Sequence, residues 1–191
     1  MATFDETALA RRLEGLPHLA RVAFATACAA RMRIPYRQAL GQFSVDRPDV
    51  LDDALSHLWA YSLSGAQVDW TAWSESLIEQ IPPEDDMANS ACQVMDDALA
   101  AAAYAARTAR GGDPAEAAYS ARRLYDAVDA YAQRSLAFTE FTPEIERALS
   151  DHPVVQQELG RQARDLAELE YGDTASAILT LSNRARIEAA F

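Results

Sequence analysis

Apolar residues recur every three to four positions along most of the chain, which is the spacing of one face of an α-helix. One stripe with this spacing carries Trp70, Trp73 and Leu77. No segment shows the convincing alternation of apolar and polar residues that is typical of a half-buried strand. The pattern therefore predicts an all-α protein. The clearest apolar stripe with helical spacing is formed by Val50, Leu51, Ala54, Leu55, Leu58 and Trp59.

Two long helices are predicted near the middle of the chain. The first spans about residues 87–110 and ends at Gly111-Gly112, and the second begins at Asp113-Pro114 and continues to about residue 138. Because the turn is short, the two helices should pack side by side in opposite directions, and the alanine-rich run 98–106 allows a close approach. We therefore expect a single compact bundle of about eight helices over residues 1–191, with a central long antiparallel helix pair.

Prolines mark other helix ends. Pro17 is suited to open a second helix that continues through Met32, because proline fits the first turn. The sequence Ile34-Pro35-Tyr36 is expected to interrupt that helix, with a short helix following it.

Charge is distributed unevenly along the chain, whose formal net charge is −12. Residues 1–47 hold seven Arg and four acids, whereas residues 48–106 hold eleven acids and no Arg or Lys. Nucleic acids and anionic membranes are bound by basic side chains that neutralise phosphates. The composition therefore predicts that neither a nucleic acid nor a membrane is a partner.

The termini and the cysteines favour a cytoplasmic protein. No uncharged apolar run reaches the roughly 20 residues that a membrane span requires. Asp5 and Glu6 stand where a secretory signal would carry basic residues. Cys28 and Cys92 each lie in an apolar helical pattern, which is typical of buried reduced thiols, although a disulfide or a nucleophile is an alternative.

Several enzyme motifs are absent from the sequence. There is no Glu-x-x-His pair for a di-iron bundle, and three histidines provide few ligands for zinc. The chain contains no lysine, so it has no phosphate-binding Gly-x-x-x-x-Gly-Lys loop, and it also lacks the Gly-x-Gly-x-x-Gly and Gly-x-Ser-x-Gly motifs. We therefore expect no cofactor.

Magnesium chemistry is the catalytic alternative, because Mg²⁺ requires only one or two carboxylates besides a substrate phosphate. The acids Asp165 and Glu168 are spaced to share one helix face, and His57 lies one turn after Asp53 and could accept a proton. In an acidic chain, such pairs also arise on solvated faces. The candidate cluster consists of Asp49, Asp52, Asp53, His57, Asp126 and Asp129.

The segment Ile81-Pro82-Pro83-Glu84-Asp85-Asp86 is a candidate interaction or loop site. The prolines force extended backbone, so the preceding helix should end near Gln80. Asp85 or Asp86 then falls where the next helix is expected to begin, and an Asp at that position caps first-turn amides. Helix capping thus accounts for these acids, and a metal or partner site is the alternative.

Several segments resemble the YjaG-like proteins, a bacterial family of unknown function. They are Arg21-Val-Ala-Phe-Ala, Ala30-Arg-Met with Pro35-Tyr36, Leu55 with Leu58-Trp59, Ile81-Pro82 with Asp85-Asp86, and His152-Pro-Val-Val-Gln-Gln-Glu158. They occur in the same order over most of residues 9–170. The resemblance implies an all-helical bacterial cytosolic protein and supplies no activity or catalytic residue.

Two functions remain open from the sequence. The first is a non-enzymatic protein that binds an unknown protein partner or forms a homo-oligomer, with the acidic middle segment as its candidate interaction surface. The segregation of charge motivates this hypothesis. The second is a magnesium-dependent all-α hydrolase that acts on a phosphorylated small molecule.

Overall fold

A computed structural model describes residues 2–42, 49–83, 89–136, 138 and 140–191. The all-α fold predicted from the apolar pattern is confirmed, and none of these helices is both long and apolar enough to cross a membrane. The described residues form ten helices: α1 (Glu6–Glu14), α2 (His18–Arg31), α3 (Arg33–Leu40), α4 (Val50–Ser64), α5 (Trp70–Glu79), α6 (Ser90–Gly111), α7 (Pro114–Leu136), α8 (Pro143–Ser150), α9 (Pro153–Tyr171) and α10 (Thr174–Ala185).

The count of ten helices in the described residues exceeds the expected eight, and two of the ten, α3 and α8, are short helices of 8 residues each. The predicted break before a short helix lies at Met32, and α3 begins at Arg33, so Pro35 lies within its first turn instead of at the break. First-turn amides have no acceptor within their own helix, and a proline there loses no hydrogen bond. The amide of Tyr36 then donates to the carbonyl of Met32 at 2.8 Å.

The centre of the fold contains three helices, α2, α6 and α7, where a pair was expected. Small side chains let these helices approach closely, since the distance between helix axes depends on the residues at the contact. Ser120 of α7 lies where the three helices meet. Its hydroxyl donates to the carbonyls of Ala101 in α6, at 2.9 Å, and Ala25 in α2, at 3.0 Å. The long helices therefore form part of a three-helix core.

The turn between α6 and α7 requires glycine at position 112. Gly112 has φ 72°, a left-handed conformation that side chains with a Cβ rarely adopt. A Cβ atom at Gly112 would also lie 2.8 Å from Nδ1 of His18. The amide of Gly112 donates to the carbonyl of Thr108 at 2.7 Å and ends α6. The short turn predicted from the glycine pair is thus fixed by both backbone conformation and contact with α2.

The remaining helices surround this core. Helix α1 packs on α7, and helices α3, α4 and α5 pack on α6. Helix α9 packs on α7, and α10 contacts α2, α4 and α9. Because α10 lies between α4 and α9, its two sides border two concave surfaces.

The cap of α6 gives a first prediction. The Asn89 side chain accepts a hydrogen bond from the amide of Ala91 at 2.9 Å. Asn89→Ala removes this acceptor, and we expect the free energy of unfolding to fall by about 0.5–2 kcal/mol. Asn89→Asp keeps an acceptor and adds negative charge at the positive end of the helix, so it should retain stability. Urea denaturation compares the variants, and an equal loss in both would contradict the capping role.

Candidate functional site

The first acids of the predicted magnesium cluster are paired with arginine. Arg37 of α3 donates from Nε to Asp49 at 2.8 Å and from Nη2 to Asp52 at 2.7 Å. Asp49 also caps α4, because its side chain accepts from the amide of Asp52 at 3.2 Å. These two carboxylates therefore join α3 to α4.

Asp53 and His57 follow on α4, and both side chains are exposed. The His57 ring packs against Trp73 of α5 with ring centroids 5.0 Å apart. Within the described part of the chain, no hydrogen bond joins His57 to Asp53. The histidine thus contacts an aromatic ring, and the geometry does not place it as a base beside the carboxylate.

The acids on α7 lie apart from those on α4. Asp126 accepts from Nε of Arg122 at 2.8 Å, and Asp129 accepts from Nε2 of Gln133 at 2.6 Å. Among the residues that the structure describes, no three His, Cys, Asp or Glu side chains are grouped so that they could hold a metal ion. The acids that the sequence pattern selected therefore bind neighbouring side chains in two separate regions.

The loop candidate is described only in part. Ile81 is partly buried against the core, and Pro82 is buried. Glu84, Asp85 and Asp86 lie outside the described residues. Helix α6 begins at Ser90, later than expected, and its cap is Asn89.

The largest of the fully buried side chains described is that of Arg31, at the end of α2. Its guanidinium, 1% exposed, donates from Nη1 to Asp165 at 2.7 Å, and Nη2 lies 3.0 Å from Glu158. Both acids belong to α9 and are as deeply buried as Arg31. A buried charge requires an opposite charge and hydrogen bonds, so this pairing determines how α9 packs on α2.

Further ion pairs extend from these acids to α10 and the residues after it. Arg184 contacts Asp165 at 2.9 Å and Glu168 at 2.6 Å, and Arg164 donates to Glu188 at 2.9 Å. The network connects four segments of the chain. We call it the Arg31 cluster, and it consists of Arg31, Glu158, Arg164, Asp165, Glu168, Arg184 and Glu188.

Burial raises the pKa of two inner groups, the Glu158 carboxyl and the Cys28 thiol. Burial raises the pKa of Glu158 more than the charge of Arg31 lowers it. At the outer side, the hydrogen bonds from Arg184 lower the pKa of Glu168. Burial also raises the pKa of the Cys28 thiol, which lies 3.7 Å from Nη2 of Arg31. A thiol that stays protonated is a poor nucleophile, so the environment of Cys28 is that of a structural residue.

Two concave surfaces flank α10. The α9–α10 cleft, about 550 Å³, is bordered by Arg164, Glu168 and Tyr171. The α4–α10 groove, about 510 Å³, brings residues of α4 to one side and the ends of α2, α3 and α10 to the other. It is lined by Ala30, Arg33, Asp52, Leu55, Ser56, Trp59, Ala60, Leu63, Ala185 and Arg186. Of the acids selected from the sequence, Asp52 lines this groove.

A second acidic pair lies on α6. Asp97 is buried, and Nη1 of Arg123 donates to it at 3.2 Å, while Asp96 contacts the same guanidinium at 3.4 Å. Burial raises the pKa of Asp97 to about 7, although Arg123 lowers it, and the nearby Asp96 and Asp126 raise it further. In the folded protein, Asp97 therefore takes up a proton at pH values well above the usual pKa range of Asp.

The Arg31 cluster predicts a large loss of stability when its central charge is removed. Arg31→Met leaves Glu158 and Asp165 buried with fewer partners, and we expect a loss of about 3–5 kcal/mol. Arg147→Met is the matched control, because Arg147 pairs with Glu144 on the exposed surface. Such pairs contribute about 0–1 kcal/mol. Urea denaturation measures both variants, and similar losses in the two would contradict the role assigned to Arg31.

The raised pKa of Asp97 predicts a pH-dependent stability. Between about pH 4 and pH 7 the folded state holds a proton that the unfolded state releases, so stability falls as pH rises through this window. Asp97→Asn cannot ionise, and its stability relative to wild type should therefore be greater at about pH 8 than at about pH 4.5. The stability of Asp97→Asn relative to wild type should increase by at most about 4 kcal/mol between these two pH values, because one pKa unit corresponds to about 1.4 kcal/mol.

Denaturation at both pH values measures this difference. Asp96→Asn is the control, because Asp96 contacts the same arginine from a more exposed position. A stability difference for Asp97→Asn that is the same at both pH values would show that Asp97 does not take up a proton on folding.

Comparisons with known proteins agree with the fold. A crystal structure of a DUF416 family protein from Shewanella baltica superposes with a TM-score of 0.80 and 19% sequence identity, over 97% of this chain and 94% of that one. A search of curated proteins finds no match. The family described as "Protein of unknown function (DUF416)" matches residues 8–190, which extends beyond the segments that carried the YjaG-like resemblance. The chain therefore belongs to the DUF416 family, whose function is unknown.

Proposed function

We propose that this protein acts by binding a protein partner, or a second copy of itself, and not by catalysis. The contact would be made by acids of the middle segment, residues 48–106, which holds eleven acids and no Arg or Lys. Such a segment attracts basic surfaces over distances longer than a hydrogen bond.

Part of this negative charge is matched within the chain. Asp49 and Asp52 are paired with Arg37, and Asp96 and Asp97 with Arg123. These four acids contact arginines of other helices in the same chain, so they are poorly suited to bind another molecule. The interaction surface must therefore be sought among the other acids of the segment.

Three acids of α4 and α5 have the properties that the proposal needs. Asp53, Glu75 and Glu79 are exposed, and within the described residues none of them forms an ion pair. Glu75 and Glu79 are four residues apart on α5 and share one side of the helix. Ile78, 40% exposed, lies beside Glu79. We call Asp53, Glu75 and Glu79 the acidic surface, and their lack of an ion partner is the observation that carries the proposal.

The hydrolase alternative gains no comparable support. It required several carboxylates to converge on one pocket, and in the described chain Asp49 and Asp52 are bound by Arg37, while Asp126 is bound by Arg122.

The proposal is tested by affinity capture from a native lysate. We expect the wild-type chain to retain a basic protein or a second copy at low salt. Raising the salt should release it, because the screening length falls to about 8 Å at physiological ionic strength. The triple variant Asp53→Asn, Glu75→Gln, Glu79→Gln should lose the partner, since it removes the unmatched charge while leaving every described ion pair intact.

A matched control removes the same charge from exposed acids in and beside α8 that form no described ion pair. The control variant Glu140→Gln, Glu146→Gln, Asp151→Asn should retain the partner. Equal capture by the two triple variants, or binding that is insensitive to salt, would refute the proposal that the acidic surface binds the partner. Light scattering at low salt separates the two kinds of partner, because a monomer at micromolar concentration rules out the second copy.

A further inference from the structure

One end of the α4–α10 groove carries two arginines whose charge is incompletely matched. Arg33 donates from Nη2 to the carbonyl of Arg186 at 3.0 Å, which fixes its guanidinium at the rim. Its Nη1 lies 3.7 Å from Asp52, too far for a hydrogen bond. The other oxygen of Asp52 accepts from Arg37 at 2.7 Å. Among the described residues, Arg33, which lines the groove, therefore has donors without a close acceptor.

Arg186 supplies the second guanidinium. Arg186 lines the groove, and within the part of the chain that the structure describes its side chain makes no hydrogen bond or ion pair. Arg37 already divides its donors between Asp49 and Asp52. These three arginines and two aspartates leave an excess of positive charge at this end, which favours an anionic group. A carboxylate suits guanidinium donors because it can accept two parallel hydrogen bonds.

The rest of the groove is largely apolar. Leu55, Trp59 and Leu63 recur every four residues on α4, so they form a stripe about 12 Å long at 1.5 Å per residue. Leu63 is 46% exposed, whereas Leu55 and Trp59 are 4% and 7% exposed, so Leu63 offers most of the accessible surface of this stripe. Opposite this stripe, the small side chains of Ala30 and Ala185 leave the groove open. An apolar body could therefore extend along α4 from the cationic end.

From this arrangement we propose that the α4–α10 groove binds an amphipathic monocarboxylate, a small molecule with one carboxylate and an aliphatic or aromatic body. The carboxylate binds Arg33 and Arg186, and the body packs along Leu55, Trp59 and Leu63. The volume of about 510 Å³ lies within the range of about 300–1,000 Å³ that is usual for small-molecule sites. This inference is independent of the acidic surface, which uses different residues.

Isothermal titration calorimetry with decanoate tests the proposal, and decanol is the uncharged control of equal chain length. Decanoate should bind to a single saturable site. Decanol should bind with an affinity at least about tenfold lower, because it cannot form charge-assisted hydrogen bonds with the arginines. Arg186→Gln should weaken decanoate binding by a similar factor. Arg110→Gln, an exposed arginine outside the groove, should bind decanoate like the wild type.

A second variant locates the site without changing charge. Ala60 is exposed and lines the groove, so Ala60→Phe should fill the groove and abolish decanoate binding while the melting temperature stays close to that of the wild type. The proposal is overturned if saturable binding is absent, if decanol binds as tightly as decanoate, or if Arg186→Gln or Ala60→Phe binds decanoate normally.

Discussion

The burial of one guanidinium group determines how helices α9 and α10 are arranged on the core. Arg31 ends a central helix, and its charge requires acids in a site that water does not reach. Helix α9 provides these acids, and Asp165 in turn binds Arg184 of α10. The carbonyl of Arg31 also accepts from the amide of Ala190 at 2.9 Å. The position of α10, and hence the concave surface on each of its sides, depends on this buried charge.

The local features of the fold could be predicted because they depend on neighbouring residues. Apolar periodicity indicated the helices, and Gly111-Gly112 indicated the turn between α6 and α7. The three-helix centre could not be predicted in the same way. It depends on Ser120 of α7 meeting Ala25, 95 residues away, and spacing along one helix carries no information about such a contact.

The same distinction applies to the functional residues. The spacing of Asp165 and Glu168 correctly placed them on one helix, but their partner Arg184 could not be recognised, because an ion pair between helices requires the packing to be known. Asp52 was selected for its charge, and it lines the groove. Arg186, in contrast, stands in an unremarkable stretch of sequence. It acquires a role only because the end of α10 lies beside α4.

The alanine-rich centre affects how stability depends on temperature. The heat-capacity change of unfolding grows with the apolar area that becomes exposed, and a buried alanine contributes much less area than a buried leucine or phenylalanine. Helix α6 buries a nearly continuous run of alanines between residues 98 and 109. Per residue, this helix therefore adds little to the heat-capacity change. A core of this kind has a flatter curve of unfolding free energy against temperature than a core of the same length built from large side chains.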